Sequence, residues 1–200
     1  MDNHFKFVII GAGVIGLSIA EKLSQKYNDI LVIDKEKQFG QHASSRNSEV
    51  IHSGFYYPNK SLKAKLCVKG NRMTYNFCQK YNIPHKKCGK LIVANNESEI
   101  EEIHRIFLLA KKNGVKNIKI LSNKDSLNIE PMVKCKKSLW IPSTGILDSH
   151  LFMSKLENLS ISRDVSFLYN FTVNSISSNK NSYVLGFYND KNKVKTENII

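Results

Sequence analysis

The sequence predicts an α/β fold organised around a pair of strands near the N-terminus, and three observations predict it. Residues 5–10 form a short apolar run that stops at Gly11-Ala12-Gly13-Val14-Ile15-Gly16. Ile15, Ile19, Ala20 and Leu23 then recur at helical spacing. A second apolar run, residues 30–33, ends on Asp34, eighteen positions after Gly16. Strand, glycine turn, helix, strand and acid in that order make a Rossmann-like dinucleotide-binding fingerprint.

Each part has a physical task. Gly11 allows the tight turn, Gly13 lets backbone approach a pyrophosphate with no Cβ between, and Gly16 lets the helix pack close to the strand. The helix N-terminus offers N–H groups and a positive dipole end to phosphates. Asp34 is placed to accept hydrogen bonds from ribose hydroxyls.

Two hundred residues with 42% hydrophobic and 10% aromatic content describe a globular chain with a core, not a disordered one. No apolar run approaches the roughly 20 residues that span a bilayer, and residues 5–10 are too short for a signal peptide. The expectation is a cytoplasmic protein, with peripheral contact to the inner membrane left open. The net charge of +13 is lysine-rich and scattered, with arginine only at 46, 72, 105 and 163. That pattern argues against nucleic acid as a partner and for a weak attraction to acidic substrates. Cys67, Cys78, Cys88 and Cys135 form no CxxC pair and no zinc spacing. No metal site is expected, and the thiols read as reduced.

After Asp34 comes a polar, turn-rich stretch, residues 35–47, rich in hydroxyls, amides and a guanidinium. Such a loop suits a ligand carrying phosphates and a ribityl chain. Residues 60–82 read as a long helix whose apolar face is Leu62, Leu66, Met73, Phe77 and Tyr81, stopped before Pro84. Gly89 permits a close approach just before a strand at 90–94. Residues 97–112 form an amphipathic helix ended by Asn113-Gly114. A strand at 116–121 precedes a short helix capped by Ser122. Residues 139–142 form a strand, and Ser143-Thr144-Gly145 turns the chain into residues 146–148. Asp148 or Ser149 caps a helix to about Leu159. Strands follow at 165–169, 171–176, 183–188 and from 194 onward, with a turn at 189–192. Residues 197–200 begin an apolar run with no polar tail, so the expectation is a chain cut at its C-terminus.

Together with Ser44-Ser45-Arg46-Asn47-Ser48 and Ile51-His52-Ser53-Gly54, the fingerprint resembles FAD-dependent oxidoreductases of the D-amino-acid-oxidase superfamily. The strings at 50–57, 61–67, 88–94 and 142–148 resemble L-2-hydroxyglutarate dehydrogenases and oxidases. The resemblance implies a discontinuous FAD-binding domain, residues 1–82 and 149–200, with the beginning of an α+β substrate domain inserted at 83–148. It implies that Gly11, Gly13, Gly16 and Asp34 hold the ADP half of FAD. Ser45, Arg46 and Asn47 would lie along the pyrophosphate and ribityl chain, and the Val173 backbone would meet the adenine. It also implies that about half of a typical member is missing, so that this chain alone would be inactive.

The implied reaction oxidises a 2-hydroxy acid, L-2-hydroxyglutarate, to the 2-oxo acid, with hydride passing to flavin N5 and on to quinone or oxygen. His52, near the isoalloxazine by resemblance, is the candidate base because an imidazole titrates near working pH. Lys90 is the candidate cation for a substrate carboxylate. A sister activity on an amino acid or glycerol 3-phosphate stays open, as does a truncated, non-catalytic flavin-binding module.

Overall fold

The computed structural model describes residues 4–179, 181–188 and 190–200. In chain order the first elements are β1 (His4–Ile10), α1 (Val14–Leu23), β2 (Ile30–Asp34), β3 (Val50–Ile51), α2 (Leu62–Lys80) and β4 (His85–Lys86). There follow β5 (Leu91–Ala94), α3 (Glu97–Lys112), β6 (Lys119–Ser122), α4 (Asn123–Ile129), β7 (Lys137–Trp140) and β8 (Gly145–Leu147). The last are α5 (Ser149–Ile161), β9 (Ser166–Tyr169), β10 (Val173–Asn179), β11 (Ser182–Phe187) and β12 (Asp190–Ile199). Chain contacts divide these into two units, Met1–Asn47 with Ser149–Ile200, and Ser48–Asp148.

The first unit is a six-stranded sheet in the order β10-β11-β12-β1-β2-β9. The four strands β12, β1, β2 and β9 run parallel, and β10-β11-β12 is an antiparallel meander. Residues 30–33 of β2 are all buried, as a parallel strand covered on both faces requires. One face carries Val8, Leu31, Ile33, Leu185, Phe187 and Val194 as a core. The helices α1 and α5 pack on each other, burying Leu17 and Ala20 of the first and Met153 and Leu156 of the second. The meander adds strands where a plain nucleotide-binding sheet would add another crossover helix. β12 begins at Asp190, so residues 190–192 of the expected turn are strand; Asn189 lies outside the described residues.

The second unit packs α3 on the antiparallel sheet β5-β7-β6 around Phe55, Ile103, Ala110, Leu139 and Ile141. Its cap is Asn96, whose side chain accepts the Glu99 N–H, while Ser122 caps α4 through the Asp125 N–H. A second small sheet, β3-β8-β4, consists of strands two or three residues long.

Two expectations change here. Residues 48–82 group with the unit that contains 83–148, with α2 and β3 bonded to the 143–148 segment. The expected apolar face of α2 is also wrong. Leu62, Leu66 and Met73 are 71, 56 and 59% exposed, while the buried residues are Ala64, Asn71 and Cys78. Asn71 is drawn inside because its amide donates to two backbone carbonyls, those of His52 and Ser143.

Candidate functional site

In the first unit the glycine turn is shaped for backbone approach. Gly11 has φ +110°, a conformation that side chains rarely adopt, and its N–H donates to the Ile33 carbonyl at 2.7 Å. A Cβ at Gly11 would meet nothing within 4 Å, so the turn faces open space. A Cβ at Gly16 would stand 1.9 Å from the Gly11 carbonyl oxygen and 3.4 Å from Ile9 Cγ2. The absence of that Cβ is what lets α1 lie this close to β1. The N-cap of α1 is Gly13, which has no side-chain oxygen to consume the first amides.

Residues 35–47 fold back over this turn. Gly40 N–H donates to the Ala12 carbonyl at 3.0 Å. Ser44 Oγ accepts the Val14 N–H at 3.0 Å, and the same oxygen lies 3.0 Å from where a Gly13 Cβ would stand. Asp34 accepts from Ala12 N–H at 2.6 Å through one oxygen and from Glu36 N–H at 2.9 Å through the other. Each oxygen keeps acceptor capacity for a ribose hydroxyl.

Ser45 and Arg46 both donate their N–H groups to the His42 carbonyl, at 3.1 and 3.2 Å, and the Asn47 amide donates to Ser44 at 2.8 Å. Their side chains are exposed. His42 itself pairs with Glu36 at 2.9 Å. Phe171 N–H donates to the Asp34 carbonyl and Asn170 N–H to Glu36, which ties the start of β10, with Val173, to the carboxyl end of β2. Ligands of open α/β sheets bind at that end. The turn, the dipole, the acid and the loop together fit the ADP half of FAD.

In the second unit His52 follows β3 and is exposed, but its backbone is clamped. The His52 carbonyl accepts from Asn71 Nδ2 at 3.1 Å and from the Cys67 thiol at 3.5 Å. The same Asn71 amide and the Tyr75 hydroxyl donate to the Ser143 carbonyl, at 2.8 and 3.2 Å. Ser53 Oγ bonds Thr144 Oγ1 at 3.1 Å, buried. Burial first, then the positive charges of Lys90 and Lys63, lower the His52 pKa from its ordinary 6.5. The shift favours the neutral ring, the form able to accept a proton.

Lys90 is held in a two-way backbone pair with Ile141, at 3.1 and 2.9 Å. Gly89 before it bonds Thr144, and a Cβ there would run into the Trp140 ring, so the close approach expected at Gly89 is present. A groove of about 500 Å³ lies along the later half of α2, lined by Arg72, Tyr75, His85 and Lys87 among others, and none of the predicted site residues lines it. Among the described residues no group of His, Cys, Asp and Glu could hold a metal ion.

Gly11, Gly13, Gly16 and Asp34 thus converge in one unit, and His52 and Lys90 in the other. Ser44, Asn71 and Thr144 escaped the sequence reading. Ser44 stood in a loop already marked by its hydroxyls, whereas nothing local distinguishes Asn71.

Residues 6–198 match the family described as FAD dependent oxidoreductase. The chain belongs to this family, whose cofactor is FAD. Among curated relatives, the mitochondrial L-2-hydroxyglutarate dehydrogenase of Arabidopsis thaliana is 47% identical over 149 residues, 74% of this chain and 31% of the relative. The Homo sapiens protein of that name is 37% identical over 187 residues, covering 90% of this chain and 39% of the relative. Among solved structures, FAD-bound L-alpha-glycerophosphate oxidase from Mycoplasma pneumoniae superposes with TM-score 0.90 at 28% identity, covering 98% of this chain and 53% of that one. L-proline dehydrogenase from P. horikoshii, at 18% identity and TM-score 0.85, shares the fold. The chain spans about a third of the length of the curated relatives and half that of the structures.

The relatives' mitochondrial names overturn the expected cytoplasmic location. That expectation rested on the lack of a bilayer-length apolar run, and no helix of the described residues is long and apolar enough to cross a membrane. This property does not separate one aqueous compartment from another.

Proposed function

We propose that this chain supplies the cofactor cradle and the catalytic base of an enzyme that oxidises L-2-hydroxyglutarate to 2-oxoglutarate. Met1–Asn47 with Ser149–Ile200 is the flavin unit in this reading, and Ser48–Asp148 belongs to the substrate unit. The observation that carries it is the setting of His52: an imidazole on a clamped backbone, its neutral form favoured by partial burial and then by two lysines. A neutral imidazole can take a hydroxyl proton, and the lysines attract a carboxylate. The names of relatives 47 and 37% identical support the substrate.

Oxidation of the substrate removes the hydroxyl proton and a hydride from the same carbon. FAD, when bound, supplies the two-electron acceptor for the hydride. His52 takes the proton on a ring nitrogen, and Lys90 holds the carboxylate beside the reacting carbon. Gly11, Gly13 and Gly16 would admit the pyrophosphate, Ser44 would fix the turn that receives it, and Asp34 would accept from the ribose. Ser45, Arg46 and Asn47 would flank the phosphate and ribityl groups, and the Val173 backbone would meet the adenine.

The test is anaerobic addition of L-2-hydroxyglutarate to the FAD-loaded full-length protein. Bleaching of the oxidised flavin band is the expected result; an unchanged spectrum would sink the reading. The close superposition on the glycerophosphate oxidase favours glycerol 3-phosphate as a second reading, and bleaching by that substrate alone would select it.

A further inference from the structure

Helix α2 carries one ridge at four-residue spacing: Lys63, Cys67, Asn71 and Tyr75. Side chains four apart stack along one face. Three members of this ridge have assigned work, since Cys67 and Asn71 hold the His52 carbonyl and Asn71 and Tyr75 hold that of Ser143. Lys63 completes the ridge at the helix N-terminal end. It lies one turn beyond Cys67, with its Nζ 4.6 Å from the centroid of the Tyr57 ring.

A lysine is badly placed there on helix energetics. The first turn of a helix favours acids, and α2 has none in its first turn. Among the described residues neither Lys63 nor Lys90 takes part in an ion pair. No Asp or Glu occurs between Glu49 and Glu97, while eight lysines and Arg72 do. His52 thus sits in a stretch with positive charge and no counter-charge of its own. Gly89 N–H donates to the Thr144 carbonyl at 2.8 Å and Ser53 Oγ bonds Thr144 Oγ1 at 3.1 Å, so Lys90 and His52 each adjoin a residue held at Thr144, and a dianion can satisfy both ammonium groups at this place.

We propose that Lys63 is a substrate-binding residue which, with Lys90, makes the His52 site select dicarboxylates over monocarboxylates. Lys90, the stronger of the two charges at His52, takes the carboxylate next to the reacting carbon. Lys63 takes the remote one, steadied by the face of Tyr57. This rests on the reading of His52 as the base of a 2-hydroxy acid oxidation, and it adds the residue that discriminates chain-end charge.

The test is calorimetric titration of the FAD-loaded protein with glutarate and with butyrate, which differ at the remote end and carry no hydroxyl to oxidise. Wild type, Lys63→Ala and Lys63→Arg are compared, with circular dichroism to verify folding. Lys63→Ala weakens glutarate about tenfold or more and leaves butyrate within about twofold, the loss of one charge-assisted bond. Lys63→Arg keeps most of the glutarate affinity. Equal weakening of both ligands, an unchanged glutarate affinity, or no preference for glutarate in the wild type overturns the proposal. Failure of the flavin to bleach with L-2-hydroxyglutarate while glutarate selectivity persists would instead remove the oxidation reading alone.

Discussion

The two candidate sites are built by opposite means. The cradle in the first unit is made of backbone: a left-handed Gly11, a helix that touches the turn at Gly16, and amides bonded by Ser44 and Asp34. The His52 site in the second unit is made of side chains on α2 reaching carbonyls that are 15 to 72 residues away in sequence. A backbone site tolerates no added atom, whereas a side-chain site fails when an atom is taken away. Substitutions in the two regions should therefore hurt in different ways.

The largest stability effect is expected in the cradle. Gly16→Ala drives a methyl into the Gly11 carbonyl oxygen, which should cost about 3 kcal/mol as overpacking and abolish FAD retention after gel filtration. Gly70 in α2 is the control, because a Cβ there meets nothing within 4 Å. Gly70→Ala should raise the melting temperature, by about 0.5–1 kcal/mol of added stability.

Next comes removal of an atom from the second site. Asn71→Ala leaves the His52 and Ser143 carbonyls short of their main donor and should cost about 2 kcal/mol by urea denaturation. It should also slow turnover without changing FAD affinity. Ser44→Ala, back in the cradle, strips the Val14 N–H of its partner and should cost about 1 kcal/mol, with weaker FAD binding seen as flavin fluorescence released on dilution. If Asn71→Ala released FAD, or Ser44→Ala left it bound, the division of labour between the units would be lost.

The smallest effect is electrostatic. Lys90→Gln removes one of the charges that lower the His52 pKa, so the imidazole titration followed by NMR should move up. The sign follows from the direction: the lysines disfavour imidazolium, and losing one makes protonation easier. A downward move would show that Lys90 does not act on His52.

The same contrast explains what the sequence disclosed. The β1-α1-β2 run and Asp34 were legible because each lies within a few residues of its partners in one repeating unit. The caps of α3 and α4 were in part legible for the same reason: Ser122 was expected, Asn96 was not. The strands β3 and β4 were not legible. Each is two residues long and exists through pairing with β8, about 60 to 95 residues away. Periodicity misread α2, where the residue that decides the buried face is an asparagine and three of the apolar residues face outward. His52 was singled out by resemblance and Lys90 as a cation for a substrate carboxylate; that they lie in one unit needed the structure.

The most direct test of the account is the single-turnover rate at which L-2-hydroxyglutarate reduces the bound flavin without oxygen, in wild type and His52→Gln, across pH. The wild-type rate should fall with acid through a midpoint below 6.5, the ordinary histidine value from which His52 is lowered. His52→Gln should be slower by about 10²–10⁴-fold and show no such limb. A variant as fast as wild type, with the same acid limb, would contradict the assignment of His52 as the base.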